Sequence, residues 1–181
     1  MLAIRCYHCG KKDTINKFCE NQDFIPISNH KYDNKWAGPG MYLWDNLYNA
    51  KHWLNTRSDK KNRSICKCML EIEEEHLLDL TDLAIVESMQ NLIELMEKNE
   101  KISVNDEVGI KISFLSNCIG AKAIKIFGDY PNLKKSPFFN VPSKNVPHVD
   151  ITTKVIYCVK EGNPDVLTKR ELEESELEEV I

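Results

Sequence analysis

The chain has 181 residues, with 24 Lys and Arg against 28 Asp and Glu, a formal net charge of −4. That length fits one domain with a real core, and 42% hydrophobic with 29% charged residues is the profile of a soluble globular protein. The acidic balance argues against a general nucleic-acid binder. No apolar run approaches the roughly 20 residues of a membrane span, and Met1 to Cys6 turns polar too soon for a signal peptide; the expectation is a cytoplasmic protein.

In chain order, Leu2 to His8 reads as a strand and Asp13 to Phe18 as one or two helical turns. Phe24 to Ile27 is a short apolar segment. The polar stretch from Asn29 ends in Gly38-Pro39-Gly40 and is a loop. Gly40 to Trp44 is a short strand, after which Asp45 or Asn46 caps a helix whose apolar face is Leu47, Ala50 and Leu54. Ser64 to Ile72 is a strand. The longest helix runs over Leu83 to Lys98, with Leu83, Val86, Met89, Ile93 and Met96 at helical spacing. Val108, Ile110, Ile112 and Phe114 alternate as in a strand, with a helix as the other reading. Ile124 to Phe127 is a further apolar run. Four prolines between Tyr130 and His148 indicate an extended loop. Val155 to Val159 is a buried strand by composition. Thr168 with Glu171 has capping-box spacing, and an acidic helical tail is expected over about 168–181. Short strands and few helices make a single α+β domain over 1–181, without the regular alternation of a doubly wound sheet.

Two segments carry possible chemistry. Tyr7-His8-Cys9-Gly10 places an imidazole, with a donor and an acceptor nitrogen, beside a glycine that lets a flat ligand approach the backbone. Gly38-Pro39-Gly40-Met41-Tyr42-Leu43-Trp44-Asp45 puts an aromatic ring, able to stack on a planar group, on the strand after a glycine turn. Taken singly, each also reads as ordinary packing. Taken in order, they resemble the first two motifs of the ADP-ribosyltransferase superfamily, above all its small bacterial and phage members. Ala50 and Trp53 fit the helix that follows the second motif, and Leu78-Asp79-Leu80-Thr81-Asp82 is similar to a segment of the same members.

The resemblance implies a split, twisted β-sheet with flanking helices and NAD as the bound dinucleotide. It implies that His8 holds a ribose and that the backbone of Cys9 and Gly10 grips the nicotinamide amide. Tyr42 would stack on the nicotinamide ring, with Gly40 and Trp44 beside it. The activity implied is ADP-ribosyl transfer from NAD⁺ to a macromolecule, protein or nucleic acid, in a toxin or phage-defence effector that an antitoxin or inhibitor protein would restrain. Two departures stand out. Cys9 separates His8 from Gly10, where the family has glycine directly after histidine. The late strand, Lys154 to Val159, opens on Thr153 and Lys154 where the family has a glutamate. Asp150 is the nearest upstream carboxylate, so the site residues implied are His8, Tyr42 and Asp150, with Lys154 at the strand start. The same fold, degenerate at this third position, would bind NAD or ADP-ribose without turnover.

A different class is a small zinc-stabilised interaction protein. Cys6-x-x-Cys9 has knuckle spacing, and Cys19 with His30, or Cys66 and Cys68, could complete four ligands. The alternative for the seven cysteines is small buried hydrophobes in a reducing compartment. Lys51, Arg57, Lys60, Lys61 and Arg63 make a basic stretch, either a solvated loop or a patch that draws nucleic acid to the site, with Tyr32, Trp36 and Tyr130 as loop aromatics able to stack bases.

Overall fold

A computed structural model describes residues 1–28, 30–129 and 153–173. The strands are β1 (Leu2–Lys11), β2 (Met41–Trp44), β3 (Arg63–Ile72), β4 (Leu77–Asp79), β5 (Ala123–Asp129), β6 (Thr153–Val159) and β7 (Leu167–Leu172). The helices are α1 (Lys12–Glu20), α2 (Leu47–Asn55), α3 (Leu83–Lys98) and α4 (Val108–Cys118). The described strands form one sheet of order β4-β5-β6-β2-β1-β3-β7. Only the β4–β5 pair is parallel. The fold is α+β.

Each face of the sheet is covered because strand residues alternate sides. Cys6, Met41, Leu43, Cys66, Cys68, Leu70, Tyr157 and Val159 point to the face that α1 covers with Ile15 and Phe18. Cys9, Trp44, Ile65, Ile124, Ile126, Ile156 and Cys158 point to the other, which receives Ala50 of α2, Ile85 and Met89 of α3, and Ile112 of α4. Cys66 and Cys68 do share a face, as their spacing requires, and both are buried with free thiols. A hydrogen bond with Cys19, and then burial, raises the Cys66 thiol well above the ordinary range, and burial raises that of Cys68 to about 12.

Helix α2 starts where Asn46 accepts a hydrogen bond from the Asn49 N–H at 2.9 Å, and α3 where Asp82 accepts from the Ala84 N–H at 2.8 Å. Both are side-chain caps of the expected kind. Of the two readings of the alternating run from Val108, the helix is the one formed, as α4, because its buried positions are Gly109, Leu115 and Ser116 while Val108 and Ile110 lie exposed. Gly109 lets α4 press on the turn at Asp33–Lys35, since a Cβ there would lie 2.6 Å from the Asn34 carbonyl oxygen. One expectation is overturned. Thr168 and Glu171 belong to strand β7 and form no capping box. Opposite Cys68 that strand carries one extra residue, and Lys169 takes φ +49°. Such a bulge re-aims side chains, and here Arg170 points into the protein with five carbonyl partners at 2.6–3.3 Å. The remainder of the expected helical tail, and the proline-rich stretch containing Asp150, lie outside the described residues.

Candidate functional site at the split between two strands

The two motif segments lie side by side. Strand β1 pairs with β3 over its whole length, from Leu2–Ile72 to Lys11–Arg63. Its ladder to β2 has one residue pair, Tyr7–Trp44. Beyond that pair the ladder stops: Cys9 and Gly10 are left opposite Tyr42 and Met41 without ladder pairing, while Gly40 is bridged to Ser28 by two backbone hydrogen bonds of 2.9 and 3.1 Å. His8 crosses this gap: its Nδ1 lies 2.7 Å from the Tyr42 carbonyl oxygen. A carbonyl only accepts, so Nδ1 carries the proton. Burial, the largest influence, and Arg63 lower the His8 pKa, while the Tyr42 bond acts in the opposite sense. The ring is therefore neutral near pH 7 and its Nε2 is a bare acceptor. Tyr42 presents its carbonyl to β1, and backbone groups of alternate residues face the same side of a strand. Continuing the Tyr7–Trp44 register by two residues aims the Cys9 N–H and C=O into the same gap.

The side chains are arranged differently from the slot that the sequence suggested. His8 shares the face of Cys66, its partner on β3, and its Nε2 lies 3.2 Å from where a Cβ on Gly10 would stand. Tyr42 packs on the opposite face with Cys158, its partner on β6. The two rings thus flank the split from opposite sides of the sheet and do not form one stacking surface. The Tyr42 hydroxyl is engaged: it donates to the Gly38 carbonyl at 2.5 Å and accepts from the Ala37 N–H at 3.2 Å. Burial raises its pKa strongly. Trp44, expected beside a cofactor, is only 6% exposed and packs tilted against Trp53 with ring centres 5.9 Å apart. Gly40 is small for a reason internal to the sheet, since a Cβ would lie 2.8 Å from the Val159 carbonyl oxygen and closer still to Cys158 Sγ. Lys154, at the second position of β6, is half-buried beside Gly128 of β5. Asp150 lies outside the described residues.

The zinc arrangement is not assembled. Cys6 and Cys9 face opposite sides of the sheet, and no group of three or more metal-ligating side chains exists among the described residues. Lys160 is a residue that sequence reasoning missed. It is almost fully buried, and its Nζ donates to the carbonyls of Pro39 at 2.6 Å and Ala37 at 3.4 Å and to Ser113 Oγ at 3.0 Å. Together with the Tyr42 hydroxyl it pins the turn whose Gly38 takes φ +74°. The only sequence signal was a lysine directly after a buried strand.

No helix among the described residues is long and apolar enough to cross a membrane. No family model and no solved structure matches the chain. The chain is similar to an uncharacterized protein of Methanocaldococcus jannaschii, 25% identical over 87 residues. That match covers 45% of this chain and 39% of the archaeal protein, so the chain spans well under half the length of the curated relative it matches.

Proposed function

We propose that the chain binds NAD⁺ at the split between β1 and β2 and transfers its ADP-ribose to a macromolecule. One observation carries the reading: the β1–β2 ladder ends at Tyr7–Trp44, where the two motif segments meet, and leaves a strand edge bridged by a neutral histidine. A nicotinamide carboxamide needs one donor and one acceptor in a plane, and the unladdered edge at Cys9 would offer a backbone N–H and C=O. Glycine at residue 10 keeps His8 in its bridging position beside this edge, because an added Cβ would crowd Ile15 and His8. His8 Nε2 is an acceptor suited to a ribose hydroxyl. Bound NAD⁺ supplies the chemistry: the bond from ribose C1′ to the nicotinamide nitrogen breaks with its electron pair going to nicotinamide, and the acceptor nucleophile bonds C1′ as it sheds its proton. The protein's part in such a reaction is positioning and charge stabilisation, and Asp150 is the carboxylate proposed for the acceptor proton. In keeping with the small bacterial and phage proteins it resembles, the chain would act as a toxin or defence effector restrained by an inhibitor protein.

A second reading is binding without turnover. It is favoured by the Tyr42 hydroxyl being taken up in the 37–38 turn and by the lack of a carboxylate at Thr153 and Lys154. Incubation with radiolabelled NAD⁺ and a cell lysate separates the two. Label entering a macromolecule, lost in His8→Ala, establishes the transferase. Saturable NAD⁺ binding without label transfer or nicotinamide release establishes the binding module. Neither binding nor turnover refutes both.

A further inference from the structure

We infer that the outer face of α2 and the turn leading into β3 form a binding surface for single-stranded nucleic acid, continuous with the β1–β2 split. Residues 48–63 carry Lys51, Arg57, Lys60, Lys61 and Arg63 against Asp59 alone, within a chain whose net charge is −4. The fold adds Lys11 to this cluster, for it is exposed and stands opposite Arg63 on the β1–β3 ladder. Helix α2 turns Leu47, Ala50, Trp53 and Leu54 inward, and this leaves Tyr48, His52 and Asn55 outward. Tyr48 is 79% exposed, with the Lys51 ammonium 5.7 Å from its ring centre. A large exposed aromatic among cations is a stacking platform that an acidic peptide would not require, whereas an unpaired base would.

Arg57 supplies a second platform. Its guanidinium lies 3.7 Å over the Trp53 ring, and its Nε is buried with no hydrogen-bond partner among the described residues. Arg63, ion-paired to Asp59 at 2.8 Å, stands opposite Lys11 on the β1–β3 ladder, two residues from Cys9, so the cationic surface runs from Tyr48 towards the edge of the split. Binding to this surface needs no NAD⁺. That the bound strand is the ADP-ribose acceptor rests on the function proposed above, and the two are tested apart.

The test is fluorescence anisotropy of labelled 12-nucleotide single-stranded RNA and DNA, at 50 and 200 mM salt, without NAD⁺. Binding at 50 mM salt is expected, with Tyr48→Ala weakening it about tenfold, the equivalent of about 1.4 kcal/mol for one stacked base. Lys60→Gln with Lys61→Gln should make the salt dependence shallower by about 1.4 in logarithmic slope, at ~0.7 per phosphate contact. Lys98→Gln with Lys101→Gln removes the same charge from exposed positions at the far end of α3 and should change nothing. Because Tyr48, Lys60 and Lys61 are exposed, these variants keep the core intact. A preference between the RNA and DNA arms names the sugar. No binding at 50 mM salt, binding indifferent to the three surface substitutions, or equal binding of a labelled polyglutamate would each overturn the inference. Oligonucleotide binding without label transfer would leave the surface standing and count against the transferase.

Discussion

Tyr42→Phe separates the two roles open to this residue, because it removes the hydroxyl and keeps the ring. The hydroxyl serves two backbone groups of one turn, the Ala37 N–H and the Gly38 C=O. Leaving a buried backbone group unserved costs about 1–3 kcal/mol. The site is half-buried, so water can replace part of the loss, and about 2 kcal/mol in total is expected. For a chain of this size that lowers Tm by roughly 4–8 °C. Lys160→Met removes the other clamp on the same turn, at Ala37 and Pro39. The double variant should depart from additivity by about 1 kcal/mol, as residues sharing one element do. Urea unfolding followed by tryptophan fluorescence measures all four proteins. If Tyr42→Phe leaves the midpoint unchanged, the hydroxyl does not hold the turn. Additivity within ~0.3 kcal/mol would show that the two residues do not act on one element. NAD⁺ binding supplies the functional half: contact through the ring survives in Tyr42→Phe and is lost in Tyr42→Ala.

Other substitutions test separate parts of the structure. Arg170→Met keeps an apolar side chain but removes the donors to five carbonyls and the guanidinium over Phe18, and should destabilise by about 3–5 kcal/mol; Arg170→Lys should fall between, since one ammonium cannot span the fork. Denaturant midpoints decide, and a lysine variant as stable as the wild type would show that charge alone matters there. His8 has a folded-state pKa below its ordinary value of about 6.5, so between those two values the unfolded chain binds a proton that the folded chain does not. Stability should therefore fall as pH drops through that window, by at most ~1.4 kcal/mol per pH unit, and His8→Gln should remove this part of the slope. Unfolding midpoints of both proteins at pH 7.5 and 5.5 check the difference. Gly40→Ala should cost more than about 2 kcal/mol, because its Cβ meets both Cys158 Sγ and the Val159 carbonyl. Adding Cys158→Ala should recover part of that loss, and no recovery would place the strain on the backbone alone.

Much of the architecture was legible because local signals agreed with the tertiary context. Strand β3 was read almost to its ends, and the span of α3 was read correctly, since its apolar residues recur at helical spacing. Helix α4 stayed between two readings because four apolar residues at alternate positions satisfy a strand template while a helix buries a different set, including Gly109 and Ser116. The β7 segment was misread because its capping-box spacing is real but idle: the bulge at Lys169 and the carbonyl cage around Arg170 are made by residues up to 152 positions away. At the site, the adjacency of the two motif segments was legible and the direction of their side chains was not. Direction depends on register, and one residue of slip turns every side chain to the other face.

The Tyr7–Trp44 pair fixes that register, and it gives the irregular first motif a physical account. Continuing it places Cys9 against Tyr42, with both side chains on the α2 face. The Cys9 thiol is consumed in packing with Ile65 and Ala50 and under the influence of Arg63, so residue 9 does not have to be glycine for its backbone edge to face the gap. Residue 10 is the crowded one, since a Cβ there would lie 3.0 Å from Ile15 and 3.2 Å from His8 Nε2. A histidine that reaches sideways to the Tyr42 carbonyl therefore needs its glycine two residues on, where the chain returns to the same face. Gly10→Ala is the substitution that tests this: it should disturb the His8–Tyr42 bond, and raise the His8 pKa measured by NMR titration as the ring turns to water. Cys9→Gly should leave that pKa in place, because residue 9 never shares the face on which His8 lies.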